Sequence, residues 1–141
     1  ISIMSKVNTV YVDGVFDLFH AGHINFLKEA KKYGDKLLVG VITDKDVQSY
    51  KRTPIITHSD RVTMLKFCKL VDKVIEYPPL VITEEFLLKN KIDLVIHADD
   101  SKQEDFFKVP ISKGIMKYIP YTSRISTTKL INSIGEKYGN R

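Results

Sequence analysis

The chain of 141 residues lacks several features that mark whole classes of protein. It has a single cysteine, which excludes an internal disulfide and favours a reducing compartment. No apolar run approaches the ~20 residues that a membrane-spanning helix needs. The first residues, Ile-Ser-Ile-Met, do not resemble a secretory signal. We therefore expect a cytoplasmic protein with no membrane segment.

The chain also lacks the clustered positive charge of a nucleic-acid-binding protein. It has 22 Lys and Arg residues against 17 Asp and Glu residues, which gives a net charge of +5. These charges are scattered, and lysines alternate with glutamates along the predicted helices, whereas binding to nucleic acid requires a basic patch or stripe. We expect no nucleic-acid partner, and the modest positive charge suits a small anionic ligand.

Apolar runs alternate with helical patterns from one end of the chain to the other. Five runs predict strands: residues 8–13, 37–42, 73–75, 93–97 and 117–120. Helical spacing predicts helices over residues 22–33, 59–70, 83–89, 103–108 and 127–138, with Gly34 ending the first of them. Repeated strand–helix–strand units favour a parallel sheet with helices on both faces. We predict an α/β fold in a single domain over residues 7–138.

Residues 14–23, Gly-Val-Phe-Asp-Leu-Phe-His-Ala-Gly-His, lie where the first strand ends and the first helix begins. A helix start presents unpaired backbone N–H groups and a positive dipole end, which bind phosphate. Gly22 has no Cβ, so a ligand or neighbouring backbone can approach closely. His20 and His23 can both donate hydrogen bonds to phosphate oxygens. Such a pair also occurs on helix surfaces and in zinc sites, although the chain offers no further zinc ligands at suitable spacing.

With a second segment near the other end of the chain, Ile-Ser-Thr-Thr at residues 125–128, this stretch resembles the nucleotidyltransferases of the cytidylyltransferase type. It is most similar to those that join CTP to phosphocholine, phosphoethanolamine or glycerol 3-phosphate. The resemblance covers roughly residues 7–134. It implies a Rossmann-like five-stranded parallel sheet of order 3-2-1-4-5, with the ligand crevice beyond the carboxyl ends of strands one and four.

The resemblance implies transfer of CMP from CTP to a small phosphorylated alcohol or amine. Pyrophosphate would be released, and the CDP-alcohol would serve phospholipid or surface-polymer synthesis. Mg²⁺ is expected with CTP, although no side chain is assigned to the metal directly. An adenylyltransferase of the same superfamily and a non-catalytic nucleotide-sensing domain are the alternatives. Whether the protein forms a homodimer stays open.

The resemblance also assigns roles to individual residues. Catalysis falls to His20, His23 and Lys51, with Lys45 and Arg52 as weaker alternatives to the lysine. The residues expected to bind the nucleotide are Val15, Phe16, His20, His23, Arg61, Asp99, Thr122, Ser126, Thr127 and Thr128. Those expected to bind the acceptor are Asp17, Lys51, Tyr121 and Arg124. The plain alternatives are a surface arginine for Arg61 and a simple helix cap for residues 126–128.

The sequence departs from the family pattern at two places that bear on the substrates. Tyr121 stands where the family has an arginine, and Arg124 stands where it has glycine, so we expect Arg124 to supply the missing charge. Leu80 stands where phosphocholine-specific members have a tryptophan, and a quaternary ammonium needs aromatic walls. Tyr11, Tyr118 and Tyr121 are further candidate walls. We therefore rank phosphoethanolamine or an aminoethyl phosphonate first, then glycerol 3-phosphate, then phosphocholine.

Overall fold

A computed structural model describes residues 6–100, 103–121 and 124–139. The strands are β1 (Val7–Gly14), β2 (Gly34–Val41), β3 (Lys73–Ile75), β4 (Leu94–Ala98) and β5 (Met116–Ile119). The helices are α1 (Ala21–Lys31), α2 (Asp44–Gln48), α3 (His58–Lys66), α4 (Glu84–Lys89), α5 (Lys108–Ser112) and α6 (Thr127–Tyr138), and a 3₁₀ turn spans Glu104–Phe106. None of the helices in these ranges has the length and apolar character to cross a membrane.

The five strands form one parallel sheet in the order β3-β2-β1-β4-β5, which confirms the predicted α/β class and strand order. Strand β1 is central, and Tyr11 is paired with Leu38 of β2 on one side and Val95 of β4 on the other. The order of the strands reverses between β1 and β4. The carboxyl ends of these two strands therefore border the crevice in which such sheets bind ligands.

Alternating side chains of the sheet contribute to two separate cores. Val10 and Val12 of β1 pack in a cluster that includes Leu27 of α1 and Leu65 of α3. Tyr11, which points to the opposite face of the same strand, packs in a second cluster. That cluster includes the buried side chains Ile82, Leu87, Ile92, Val95 and Phe107. Helices therefore cover both faces, as expected for a parallel sheet buried on both sides.

The prediction that Gly34 ends the first helix is wrong. Helix α1 ends at Lys31, and Gly34 begins β2, where it is paired with Val7 of β1. A Cβ on Gly34 would lie 2.7 Å from Cγ2 of Val10. Glycine therefore serves close packing between neighbouring strands at this position rather than the termination of a helix.

Three helix boundaries also differ from the predictions. Helix α2 occupies part of a segment that was expected to be irregular. Its N-cap is Thr43, whose hydroxyl accepts a hydrogen bond from the N–H of Asp46. Helix α3 ends at Lys66 instead of near residue 70. The helix predicted over residues 103–108 is instead a 3₁₀ turn at Glu104–Phe106, and α5 follows it at Lys108–Ser112. Helix α5 contains Pro110 in its first turn, where proline is tolerated because its missing N–H has no intrahelical partner.

Candidate active site

A cavity of about 550 Å³ lies at the carboxyl end of the sheet, where strand order reverses. The ends of β1 and β4 form its floor, through Asp13, Gly14, His97 and Ala98. Its walls come from the loop after β1, the segment after α2, the region of the 3₁₀ turn and the start of α6. The two sequence segments that carried the resemblance, more than 100 residues apart, therefore meet at one cavity.

The loop between β1 and α1 reverses tightly through unusual backbone conformations. Phe16 and Leu18 have φ values of 56° and 53°. This left-handed region is uncommon for residues with a side chain, and such strain is concentrated at functional sites. A Cβ on Gly14 would lie 3.1 Å from the ring of Phe16. The absence of that Cβ lets the buried Phe16 ring fold back, so that Phe16 lines the cavity beside Val15.

His20 and His23 form a capping box at the start of α1. Nδ1 of His20 accepts a hydrogen bond from the N–H of Gly22 at 3.0 Å, and Nδ1 of His23 accepts one from the N–H of His20 at 3.1 Å. A ring nitrogen that accepts a hydrogen bond carries no proton, so each neutral imidazole carries its proton on Nε2. The cap thereby leaves Nε2–H as the donor of both rings.

The two histidines occupy different positions relative to the cavity. His23 lines it, whereas His20 is stacked on His23 with 3.9 Å between ring centres. Nε2 of His20 lies 3.5 Å from the hydroxyl oxygen of Thr127. That hydroxyl donates to the carbonyl oxygen of Asp17 at 2.7 Å, so its oxygen is left to accept from His20. The start of α6 is thus connected to the loop that carries both histidines.

Both imidazoles are neutral near pH 7 in the ligand-free protein. Burial lowers the pKa of His20. Burial and then the neighbouring His20 lower the pKa of His23 to about 3, although the nearby Asp17 carboxylate opposes this shift. The rings are therefore hydrogen-bond donors without a charge. A bound anion would raise the pKa of both.

The segment after α2 brings Lys51 and Arg52 to the cavity. Lys51 is exposed as a whole residue, and its ammonium lies 5.8 Å from the centre of the Tyr50 ring. Partial burial of the ammonium and then repulsion from Arg52 lower the pKa of Lys51, whereas Asp100 and Asp17 raise it. Lys45 lies in α2, outside the lining. Position therefore favours Lys51 over Lys45 for contact with a phosphate.

The start of α6 forms the facing wall of the cavity. Ser126 is its N-cap, and its hydroxyl accepts a hydrogen bond from the N–H of Lys129 at 3.1 Å. Ser126, Thr127, Thr128 and Lys129 all line the cavity, so the positive end of this helix is directed at the same space as the start of α1. Thr122, the other predicted nucleotide contact of this region, lies outside the described residues.

Arg61, which is predicted to bind the nucleotide, lies outside the lining of the cavity in this structure. The side chain is fully buried, which also excludes the plain reading of a surface arginine. Its nitrogens donate to the carbonyl oxygens of Val15, Ile42 and Ile56 and to the carboxylate of Asp44. These bonds use four of its five N–H donors, and the buried guanidinium is not available to a ligand.

The carboxylates of Asp17 and Asp99 also bind within the protein. Asp17 lines the cavity, but its two oxygens accept hydrogen bonds from the N–H groups of Ile55 at 2.7 Å and Ile56 at 2.9 Å. Asp99 lies outside the lining and accepts from the N–H of Tyr121 at 3.2 Å. Asp100 lines the cavity in its place. The carboxylate that lines the cavity after β4 is therefore Asp100 and not the predicted Asp99. Because both oxygens of Asp17 already accept backbone hydrogen bonds, Asp17 is a poor partner for the acceptor substrate.

Arg124, which is expected to compensate for Tyr121, is not placed at the cavity in this structure. Tyr121 lines the cavity, and its hydroxyl donates to the carbonyl oxygen of Ile125 at 3.3 Å. Arg124 precedes the cap of α6 and is exposed outside the lining. Lys129, in the first turn of α6, supplies a positive charge from that wall instead.

Asp13 is a cavity residue that was not predicted from the sequence. It ends the apolar part of β1 and is buried in the floor of the cavity. Burial raises the pKa of its carboxyl to about 7, although a hydrogen bond from its own backbone N–H opposes the shift. The available signal was a lone carboxylate at the end of a buried strand, a position from which it can reach a ligand.

An apolar and aromatic wall completes the cavity. Leu80 lines it, as do Tyr50, Phe106 and Phe107, which were not predicted. The rings of Tyr50 and Phe106 meet edge to face with 5.1 Å between their centres. Of the three tyrosines predicted as aromatic walls, Tyr121 lines the cavity, whereas Tyr11 and Tyr118 lie outside the lining. The described residues contain no cluster of three or more His, Cys, Asp or Glu side chains arranged to hold a metal ion.

Comparison with known proteins agrees with this geometry. Residues 11–133 match the family model described as cytidylyltransferase-like. The chain is 36% identical over 126 residues to an ethanolamine-phosphate cytidylyltransferase of Dictyostelium discoideum, covering 86% of this chain and 35% of that protein. It is 41% identical over 137 residues to choline-phosphate cytidylyltransferase 2 of Arabidopsis thaliana, covering 92% and 45%. The chain thus spans less than half the length of these curated relatives.

Two solved structures are similar to this fold. A lipopolysaccharide core biosynthesis protein from Thermoplasma volcanium is 31% identical with a TM-score of 0.67, over 82% of this chain and 96% of that one. A pantoate-beta-alanine ligase from Francisella tularensis is 17% identical with a TM-score of 0.52, over 96% and 72%. The second likeness concerns the fold alone.

Proposed function

The chain belongs to the cytidylyltransferase-like family, and on this premise we propose that it transfers CMP from CTP to the phosphate of a small phosphorylated alcohol or amine. Pyrophosphate is released, and the product is a CDP-alcohol of the kind used in phospholipid or surface-polymer synthesis. The observation that carries this proposal is that His23 and the start of α6 line the same cavity. Two helix starts directed at one space suit a ligand with several phosphates.

The reaction consists of one displacement at phosphorus. An oxygen of the acceptor's phosphate attacks the α-phosphorus of CTP, the bond from that phosphorus to the oxygen bridging to the β-phosphate breaks, and pyrophosphate leaves with the bonding electrons. Negative charge grows on oxygens that lie near His23 and its stacked neighbour His20. Their Nε2–H groups are held in place by the cap, so they stabilise this charge without reorganising. Lys51 and Lys129 neutralise the phosphates from opposite walls.

Mg²⁺ accompanies CTP in this proposal. The ion commonly binds one or two carboxylates together with the phosphates of a substrate. Asp100 lines the cavity and fits that role, whereas the described residues offer no larger cluster of metal ligands. When bound, the ion would neutralise part of the charge of the triphosphate.

A primary amine is the acceptor headgroup that this cavity suits best. The buried Asp13 carboxyl lies in the floor and can accept hydrogen bonds from an ammonium group. Leu80 gives a quaternary ammonium no aromatic face, although Tyr50 and Phe106 restore some aromatic surface. We therefore keep phosphoethanolamine or an aminoethyl phosphonate ahead of glycerol 3-phosphate and phosphocholine. The cytoplasmic location stays a prediction, and whether the protein forms a homodimer stays open.

Release of pyrophosphate tests this function. The purified chain is supplied with Mg²⁺, with CTP or ATP, and with each acceptor in turn. We expect pyrophosphate release that requires both CTP and an acceptor. The variant Lys51→Ala should lower the rate of this release far more than the matched variant Lys45→Ala. Turnover with ATP and an acceptor, but not with CTP and an acceptor, would indicate an adenylyltransferase. Nucleotide binding by calorimetry without turnover on any acceptor would indicate a sensing domain, and either result would overturn the proposal.

A further inference from the structure

The buried Arg61 connects three segments of chain that surround the cavity. Its Nη1 donates to the carbonyl oxygen of Val15 at 2.8 Å, in the loop after β1, and to that of Ile42 at 2.9 Å, just after β2. Its Nε donates to the carbonyl oxygen of Ile56 at 2.9 Å, in the segment before α3. Its Nη2 pairs with Asp44 at 2.5 Å, at the start of α2.

Asp44 and Asp17 extend this network. The second oxygen of the Asp44 carboxylate accepts a hydrogen bond from the N–H of His58 at 3.2 Å, at the start of α3. The Asp17 carboxylate binds the N–H groups of Ile55 and Ile56. The backbone of Ile56 is therefore held on both sides of its Cα, the N–H by Asp17 and the carbonyl oxygen by Arg61.

The segment that is held in this way carries Lys51. Residues 49–57 connect α2 to α3, and they are anchored at one end by Asp44 at the start of α2 and at the other by Ile55 and Ile56. The anchors on the opposite side, Val15 and Asp17, lie in the loop that leads to both histidines. The network therefore spans the distance between the lysine and the histidines of the proposed site.

Stability alone does not account for a charged side chain at this position. A buried ion pair is costly to desolvate, and well-packed apolar residues of similar volume are often as stable or more so. The guanidinium is planar and always charged, and it presents donors in a rigid fork. These properties fix the relative positions of three carbonyl oxygens and one carboxylate, which an apolar side chain cannot do.

We propose that Arg61 and Asp44 are positioning residues, which hold the Lys51 segment in register with His23 and thereby set the rate of phosphate chemistry. The proposal rests on the proposed function, since it assigns the pair an effect through Lys51. Neither Arg61 nor Asp44 lines the cavity, so neither would contact the substrate. Asp44 acts through Arg61, and Arg61 acts through the backbone of the three segments.

Asp44→Asn is the informative variant, because its side chain is 37% exposed and the chain can tolerate the change more easily than the loss of Arg61. It is compared in the full chain with Lys51→Ala and with the double variant. Glu76→Gln is the matched control, since it breaks the ion pair between Lys66 of α3 and Glu76, and neither residue lines the cavity. Urea unfolding of each variant measures stability separately.

We expect Asp44→Asn to lower kcat by roughly 10- to 100-fold with a smaller change in KM, the scale on which a shift of about 1 Å slows an enzyme. In the Lys51→Ala background, Asp44→Asn should cause little further loss, because the residue it positions is gone. Amide hydrogen exchange at Ile55 and Ile56 should accelerate in Asp44→Asn and stay unchanged in Glu76→Gln.

Three results would overturn the inference: an Asp44→Asn rate equal to that of Glu76→Gln, a full additional loss in the double variant, or unchanged amide exchange. Arg61→Lys adds a further check, since it keeps the charge but not the fork, and kinetics like the wild type would contradict the positioning role. If the wild-type chain shows no turnover, the proposed function fails, whereas the exchange experiment still reports on the network.

Discussion

The backbone N–H of His20 donates a hydrogen bond to Nδ1 of His23 at 3.1 Å. This bond satisfies one of the unpaired N–H groups at the start of α1 and also determines which nitrogen of His23 carries the proton. A Cβ on Gly22 would lie 2.8 Å from Cε1 of His20 and 3.2 Å from the carbonyl oxygen of Ile125. Glycine is therefore required both for the folded-back imidazole and for the approach of the segment before α6.

His20→Ala and His23→Ala should each lower kcat by roughly 10²–10³, the loss typical of removing one donor to the transition state. His20→Asn separates the chemistry from the cap, because asparagine is a favoured N-cap but does not reproduce the Nε2–H of imidazole. We expect His20→Asn to unfold like the wild type in urea and to remain slow. Recovery of the wild-type rate in that variant would reduce His20 to a helix cap.

Lys129→Ala should raise KM for CTP more than Arg124→Ala does. Lys129 lines the cavity at the start of α6, whereas Arg124 is exposed outside it. Initial rates at varied CTP concentrations decide the comparison, with circular dichroism as a check that α6 is intact in both variants. A larger effect of Arg124→Ala would mean that the segment before α6 moves towards the ligand on binding.

Leu80→Trp should raise kcat/KM for phosphocholine relative to phosphoethanolamine. Leu80 lines the cavity with Tyr50 and Phe106, so an indole there would add the aromatic face that a quaternary ammonium uses. A cation–π contact of this kind contributes about 0.5–2 kcal/mol, which corresponds to a change of roughly 2- to 30-fold. Leu80→Phe is the graded control. An unchanged ratio in both variants would place the headgroup elsewhere in the cavity.

His23 and Asp13, two cavity groups with perturbed pKa values, should affect stability in opposite directions with pH. The pKa of His23 falls to about 3 on folding, so from pH 6.5 downwards the unfolded chain binds a proton that the native state does not, and stability is lost as pH falls. The pKa of Asp13 rises to about 7, so the native state binds the extra proton, and stability is lost as pH rises from about 4 to 7.

Urea unfolding of the wild type, His23→Ala and Asp13→Asn between pH 5 and 7 tests these signs. The free energy of unfolding of His23→Ala should gain on the wild type as pH falls, and that of Asp13→Asn should gain as pH rises, each by at most about 1.4 kcal/mol per pH unit. Curves parallel to the wild type would mean that the group in question titrates normally in the folded protein.

Tyr11→Phe should leave the protein as stable as the wild type or more stable by about 1 kcal/mol. The Tyr11 hydroxyl is buried without a hydrogen-bond partner among the described residues, and an unsatisfied buried polar group is unfavourable. Tyr77→Phe, at a side chain that is 75% exposed, is the control and should change little. A clear loss of stability in Tyr11→Phe alone would indicate a bound water on that hydroxyl.

The α/β class could be predicted from the sequence because it depends on local patterns, whereas the strand order and the location of the cavity were implied by the resemblance to the family. Alternating apolar runs and helical spacing determine the elements, and the two motifs identify which strand ends and helix starts carry the site. His23 and residues 126–128 belong to these motifs, Lys51 was expected from the resemblance at the loop after β2, and all of them line the cavity. Their signals are short segments whose chemistry does not depend on distant neighbours.

The tertiary structure alone decided which polar groups remain available to a ligand. Arg61, Asp17 and Asp99 stand at the expected positions along the chain, but their hydrogen bonds are made with residues that only folding brings near. Conversely, Asp13 and Tyr50 reach the cavity through contacts between elements that are distant in sequence. The sequence gives the type and position of each residue. Which groups form hydrogen bonds with that residue depends on the packing of the folded chain.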